Sequence, residues 1–292
     1  MSETKYIDLL TDFSFKKIFG TEPNKDLLIS FLNEIFKGRK KIINLVYNKN
    51  EHHGDNKEEG SAVFDLLCTG DNGEYFLIEV QHSQPINFKK RGLFYTSRLI
   101  SEQAPKGEMK AWRYNITEVY FVAVLEKTDE FNAENDRYLH DVCLCYRDSG
   151  EIFYNGLGYT YINLGKFVKK KDELRDNLDQ WLYSLKHLDE QDDLPSHLKA
   201  TIFEKLYNIA EYTNLSKEEQ RMYNQDLKKK WDNEAVLAYR EEKGIEKGIE
   251  KGIEQGEHNK AVEIAKNLKN EDLSVDLIAK ATGLSTDEVE KL

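Results

Sequence analysis

The sequence predicts a mixed α/β fold followed by a mainly helical C-terminal region. Three observations predict it. Hydrophobic runs between residues 25 and 125 alternate in the order α-β-β-β-α-β, an order that a mixed sheet with helices packed on it accommodates. From Lys171 onward the apolar period is helical. The 292 residues are 39% hydrophobic and 11% aromatic, enough for a packed core and against global disorder.

Each element has its own signal. Residues 25–37 place Leu27, Leu28, Phe31, Leu32 and Ile35 on one helical stripe. Residues 41–47 read as a strand, and Asn48 to Gly60 as a polar loop. Residues 61–69 and 74–82 are a second and a third strand. Pro85, at a favourable first-turn position, opens a helix reaching Gln103. Residues 117–125 are a buried fourth strand, and 139–147 and 151–164 two more. Helices follow over 172–187, 196–213 and 216–256, then shorter ones, with Ser196 and Ser216 at cap positions and a capping box in S-K-E-E. The expected organisation is a domain over 1–170, a helical region over 171–256 and a small helical element over 257–292.

Lys-Gly-Ile-Glu recurs from Lys243 to Glu254, setting glycine at 244, 248, 252 and 256. Glycine costs about 1 kcal/mol per helical position relative to alanine. Two readings stand: close approach of another helix, or a low-complexity solvated helix.

Composition excludes several classes. No run approaches 18 apolar residues, so no membrane span is expected. The first residues lack the apolar core of a secretion signal, and three cysteines suit a reducing cytoplasm. The net charge is −11, yet residues 1–127 are neutral on balance. All excess acid lies C-terminally, so a nucleic-acid site is expected only in the N-terminal part, from local patches.

The hairpin 61–82 carries the chemistry. Glu79 and Gln81, two apart on a strand, project from one face. A two-residue Asn72-Gly73 loop sends Asp65 to the opposite face. A three-residue loop Asp71-Asn72-Gly73, with Gly73 left-handed, sets Asp65 directly opposite Glu79. Two facing carboxylates among apolar neighbours repel and are desolvated, which a cation between them relieves. With the Val80 carbonyl they form a hard oxygen set suited to Mg²⁺ or Mn²⁺. The alternative is a partly exposed hairpin with ordinary surface acids.

These residues carry a resemblance. Asp65 and Glu79-Val80-Gln81 within α-β-β-β-α-β resemble the restriction-endonuclease-like core of the PD-(D/E)XK nuclease superfamily. Together with Thr11-Asp12-Phe13-Ser14-Phe15-Lys16-Lys17-Ile18-Phe19-Gly20, Phe31-Leu32-Asn33-Glu34 and the Gly-Ile-Glu-Lys repeat, the chain resembles the recombination-promoting nuclease (Rpn), or PD-(D/E)XK nuclease family transposase, group. The resemblance implies a Mg²⁺-dependent DNA endonuclease associated with recombination or transposition. It makes Asp65 and Glu79 the metal-binding acids and puts Gln81 where the motif usually has lysine. Glu34 is the candidate for a further acid, and Asp12 bears on fold or site.

Phosphates are held by Lys and Arg. Lys37, Arg39, Lys40 and Lys41 lie between the first helix and strand. Lys89, Lys90 and Arg91 open the helix after the hairpin, on which Arg91, Tyr95 and Arg98 share a face. That face is either a backbone clamp or a solvated surface. Residues 273–292 scan as helix, Gly-Leu-Ser turn, helix, but Asp287, Glu288 and Glu290 oppose phosphate, which favours a packing or dimer-forming element. His52, His53 and Asp55 read as a chance cluster, and Cys143 and Cys145 as core thiols. The expected protein is a cytoplasmic DNA endonuclease able to form homo-oligomers through its C-terminal helices. The alternatives are a catalytically silent DNA-binding or interaction protein on the same fold, and a defence or toxin-like nuclease.

Overall fold

The computed structural model describes residues 4–49, 51–52, 62–82, 87–105, 112–126, 128, 131, 136–195, 198 and 201–292. Pro85, His53, Asp55 and Ser196 fall outside them. By internal packing the chain divides into residues 1–231 and 232–292.

The first unit begins with a short helix, α1 (Asp12–Phe19), whose Thr11 hydroxyl accepts the Ser14 amide. Phe15, Ile18 and Phe19 bury its inner face, and Gly20 ends it. Helix α2 (Lys25–Ile35) buries the five predicted apolar positions. Strands β1 (Leu45–Tyr47), β4 (Leu66–Gly70), β5 (Tyr75–Gln81), β6 (Val119–Leu125), β7 (Leu139–Cys145) and β8 (Ile152–Asn163) form one sheet in the order β1-β4-β5-β6-β8-β7. β5, β6 and β8 run parallel and the remaining pairings are antiparallel. β6, parallel on both sides, is buried along its whole length, which is why it reads as an unbroken apolar run.

The expected strand over 61–69 is two. β3 (Ala62–Val63) pairs with β2 (Glu51–His52) in a separate ribbon, and β4 resumes at Leu66. The break falls at Phe64-Asp65, and it frees the Asp65 side chain from a regular ladder.

One face of the sheet carries α3 (Phe88–Glu102), packed through Phe88 and Leu99 on Leu77, Phe121, Ala123 and Tyr161. Gly92 permits this approach: a Cβ there would lie 3.1 Å from both a Phe121 ring carbon and the Tyr161 hydroxyl. Gly92→Val is expected to destabilise the fold by about 1–3 kcal/mol through overpacking, read as a lower urea midpoint. An unchanged midpoint would mean the helix lifts freely from the sheet.

The other face carries α1, α2, α4 (Asn177–His187) and α5 (Thr201–Ala210). Trp181 is fully buried, with ring centroids 5.9, 5.7 and 5.0 Å from Phe19, Phe31 and Phe203. It therefore joins all four helices in one cluster. Helices α4 and α5 thus share the core of the sheet domain. The N-terminal part of α6 (Lys217–Asn270) does so too: Lys230 pairs with Asp8 and Glu126 at 2.8 Å, and Asp226 accepts the Phe13 amide at 2.9 Å.

In the second unit α7 (Val275–Thr282) and α8 (Thr286–Glu290) pack Ile278, Leu284 and Val289 on Ala265 of α6, turning at Gly283 (φ +77°). Ile245, Ile249 and Ile253 are more than half exposed, and beyond the adjoining backbone of the helix itself nothing among the described residues lies within 4 Å of a Cβ at glycines 244, 248, 252 or 256. A further expectation is overturned. Cys143 and Cys145 are exposed, not core thiols. They sit on β7, the sheet's outer strand, where the register with β8 is irregular. Cys68, on an inner strand, is the buried thiol.

Candidate active site

The hairpin adopts the three-residue turn. Leu66 pairs with Ile78 and Leu67 with Leu77, so Asp65 stands opposite Glu79. Gly73 supplies the left-handed residue (φ +84°), and the Gly70 amide donates to the Glu74 carbonyl at 2.8 Å. Tyr75 and Leu77 belong to the α3 side of the sheet, so strand alternation brings Glu79 and Gln81 to that side with Asp65.

The two acids are interlocked through the backbone. The Val80 amide donates to Asp65 Oδ2 at 2.7 Å, and the Asp65 amide donates to Glu79 Oε1 at 3.3 Å. In a continued ladder the Val80 amide would pair with Phe64; the bend at Asp65 puts a carboxylate there instead. Arg91 Nη2 of α3 donates to Glu79 Oε2 at 3.2 Å, and its guanidinium lies over the rings of Phe88 (4.4 Å) and Tyr95 (5.8 Å).

Burial dominates the electrostatics. The Glu79 side chain is 3% exposed. Its carboxyl is pushed up to about 8, first by burial and then by the Asp65 charge, against the opposing pull of Arg91. Burial also raises Asp65, over the counter-effect of the Val80 amide, and Asp12 adds to the rise. Tyr95 is raised by its burial and then by Glu79. One guanidinium therefore does not neutralise the pair.

Asp12 and Lys16 of α1 both act on this site: Asp12 raises Asp65, and Lys16 lowers both Asp65 and Glu79. Asp12 is thus the helix acid that reaches the pair electrostatically. Glu34 turns elsewhere, accepting from Asn177 of α4 at 3.0 Å and pairing with Lys37 at 3.5 Å. The signal available in the sequence was the cap at Thr11 followed by Phe15, Ile18 and Phe19 at helical spacing.

The basic residues divide in the same way. Arg91 and Tyr95 join the site. On the same helix Lys89 lies 4.4 Å over the Phe131 ring, Lys90 is exposed and Arg98 is half-buried. Lys40 bridges Glu74 (3.1 Å) and Glu118 (2.6 Å). These acids precede β5 and β6, and Glu74 is five residues before Glu79, about 17 Å along an extended strand. Lys40 and the adjacent exposed Lys41 therefore stand at the far end of the strands.

The donor set fits a hard divalent cation. Asp65 and Glu79 offer buried oxygens whose mutual repulsion such an ion would relieve. Odd residues of β5 bond toward β6, as Tyr75 and Gln81 show. The Val80 carbonyl therefore points to the β4 side, where Asp65 lies. Among the described residues no group of three or more His, Cys, Asp or Glu side chains is arranged for a metal. Two carboxylates and a carbonyl would leave several coordination positions to water, as Mg²⁺ usually retains.

A family model described as PD-(D/E)XK nuclease family transposase matches residues 9–240, which include this entire site. No curated protein and no solved structure matches the chain.

Proposed function

The chain belongs to the PD-(D/E)XK nuclease family transposases, and on that premise we propose that it is a divalent-metal-dependent DNA endonuclease acting in recombination or transposition. The observation that carries the reading is the opposed, buried pair Asp65 and Glu79, with Asp65 held by the Val80 amide and Glu79 by the Asp65 amide. A bound Mg²⁺ or Mn²⁺ supplies Lewis acidity to the attacking water and to a phosphoryl oxygen. Asp65, Glu79 and the Val80 carbonyl would hold it. The Asp65 and Val80 amides orient the carboxylates, and Arg91 fixes Glu79 Oε2. Gln81, on the same face, orients water through its amide. In the reaction the attacking water gives up one proton as its oxygen bonds to phosphorus, one P–O ester bond breaks, and the departing sugar oxygen takes up one proton, so the proton count is unchanged.

DNA is the substrate in this reading, with the exposed Lys90 and the half-buried Arg98 of α3 placed to meet its backbone. The exposed isoleucines at 245, 249 and 253 suit pairing with a second copy. The same reading puts the action on DNA in the cytoplasm. No helix among the described residues is long and apolar enough to cross a membrane.

The test is supercoiled-plasmid cleavage by the purified chain in Mg²⁺ or Mn²⁺, in EDTA, and by Asp65→Asn. Cleavage confined to the wild type with metal is the expected result. A folded wild type inert in both ions would sink the reading. The second reading, a silent DNA-binding protein on this fold, is favoured by one observation: Gln81 is neutral at the position of the motif lysine.

A further inference from the structure

Gln81 stands two residues beyond Glu79 on β5, where the motif has a lysine, and an amide carries no charge to set against a phosphate under attack. The helix that covers this face of the sheet supplies one. Phe88 and Leu99 seat α3 on Leu77, Phe121 and Ala123, the side to which strand alternation turns Glu79 and Gln81. From that helix Arg91 reaches the acid pair directly, its Nη2 donating to Glu79 Oε2 at 3.2 Å. The Glu79 side chain is 3% exposed and that of Arg91 32%. The Arg91 side chain therefore extends from the sealed carboxylate to solvent, and a substrate oxygen brought to Glu79 meets its guanidinium.

Its attachments hold the group in place without using up its donors. The guanidinium lies over Phe88 at 4.4 Å and Tyr95 at 5.8 Å, and contact with a ring face positions a cation while consuming no N–H. Tyr95 is itself braced edge-on against Phe64, with ring centroids 4.9 Å apart. A guanidinium is a fork of N–H donors, and among the described residues Glu79 is the one acceptor that takes any of them. The Nε is buried with no partner. The bond to Glu79 is also longer than the roughly 2.7–2.9 Å usual for a charge-assisted pair. The other cations of α3 are placed differently: Lys89 lies over the Phe131 ring at 4.4 Å, and Arg98 is about two helical turns further on. An arginine fixed by rings, with its fork largely unfilled, is prepared to bind the oxygens of a phosphate.

We infer that Arg91, supplied from α3, is the catalytic cation of this site, contacting a non-bridging oxygen of the scissile phosphate while Nη2 stays on Glu79, in the role that the motif gives to the residue at position 81. The inference rests on the reading of Asp65 and Glu79 as the metal-holding pair. Arg91 keeps its proton throughout, so it supplies charge and N–H donors and forms no covalent bond. Its effect falls on turnover rather than on metal affinity.

The experiment compares wild type, Arg91→Met, Arg91→Lys and Arg91→Met/Gln81→Lys in Mg²⁺-dependent plasmid nicking, with Mn²⁺ titrated calorimetrically into each protein without DNA. Methionine keeps the packing over both rings. Arg91→Met is expected to lower kcat by about 10²–10³, the usual cost of removing one preorganised charge-stabilising group. KM stays within about threefold, since the other phosphate contacts remain. Mn²⁺ affinity is expected to be unchanged or tighter, because a cation beside the site opposes a second one. Arg91→Lys, which keeps the charge and loses the fork, falls between wild type and Arg91→Met. A lysine at position 81 is expected to return the double variant to at least about a tenth of the wild-type rate, given the same charge on the same face. Nicking by Arg91→Met at the wild-type rate would overturn the assignment. So would a loss of rate accompanied by Mn²⁺ binding about 10–100-fold weaker, the usual result of removing a ligand's support, which would make Arg91 a positioning residue for Glu79. A double variant as slow as Arg91→Met would overturn it as well. A wild type that binds Mn²⁺ but does not nick rejects the nuclease reading, and the arginine assignment with it. A wild type that binds no Mn²⁺ rejects the metal pair itself.

Discussion

Glu79→Gln is expected to abolish cleavage while making the metal-free protein more stable. The two effects have one cause. Glu79 is nearly sealed from solvent, and its carboxyl sits at about 8 against an ordinary 4.5, through burial and then Asp65. In the unfolded chain that constraint is gone. The folded form therefore holds a proton that the unfolded form releases between about pH 4.5 and 8. Stability falls as pH rises through that window, and the displacement corresponds to roughly 3–5 kcal/mol when complete. The amide introduced by the substitution would carry no charge, and its oxygen could still accept from the Asp65 backbone N–H. Urea unfolding in EDTA at pH 8.5 should show the variant ahead of wild type, with the gap closing toward pH 5. The comparison between variant and wild type isolates this group from carboxyls displaced the other way, such as Glu74 and Glu219. Plasmid cleavage in Mg²⁺ should drop at least about 10³-fold, as expected when a metal-holding acid is removed from a hydrolytic site. A variant that is less stable at every pH, or one that still cleaves, would show that Glu79 is an ordinary structural acid held by Arg91.

The second large effect is the pH dependence of ion binding. The carboxyl must lose its proton to ligate a cation, so binding competes with protonation. Below about pH 8 the affinity for Mn²⁺ should fall roughly tenfold per pH unit, one proton being displaced for each ion bound. Calorimetry in buffers of different ionisation enthalpy at pH 7 should report about one proton released per Mn²⁺. Glu79→Gln should flatten the slope along with the affinity. A slope near zero between pH 6 and 8 would mean that Arg91, not a proton, balances Glu79 in the free protein. In that case the ion would displace the guanidinium.

Much of this was legible in one dimension because it depends on alternation and turn chemistry. The two-residue step from Glu79 to Gln81 puts both on one face of any strand. Gly73 suits the left-handed position of either a two-residue or a three-residue loop, so the sequence offers two registers, and the structure adopts the one in which Asp65 meets Glu79. The unbroken apolar run 119–125 announces a strand covered on both faces. The five buried positions of α2 follow from their spacing.

What the sequence left open are distances between elements remote along the chain. Lys40 and Arg91 look alike as basic residues flanking predicted elements. Only the parallel course of β5 and β6 sends Lys40 to Glu74 and Glu118 at one end of the strands and Arg91 to Glu79 near the other. Glu34 and Asp12 are both helix acids, and Glu34 is drawn to Asn177 while Asp12 reaches the electrostatic range of Asp65. Cys143 and Cys145 carry an apolar signature, but the strand order makes β7 the sheet's rim. Helices α4 and α5 show amphipathic period, and the packing of Trp181 on Phe19, Phe31 and Phe203 binds them to the sheet domain. The physical reason is common to all four. Local periodicity sets which face of an element is apolar, but which charge meets which depends on the order and direction in which elements pack. The sequence by itself determined the hairpin and the acids it carries. Only the tertiary structure decided between its two registers, and which cations and which third acid stand beside the pair.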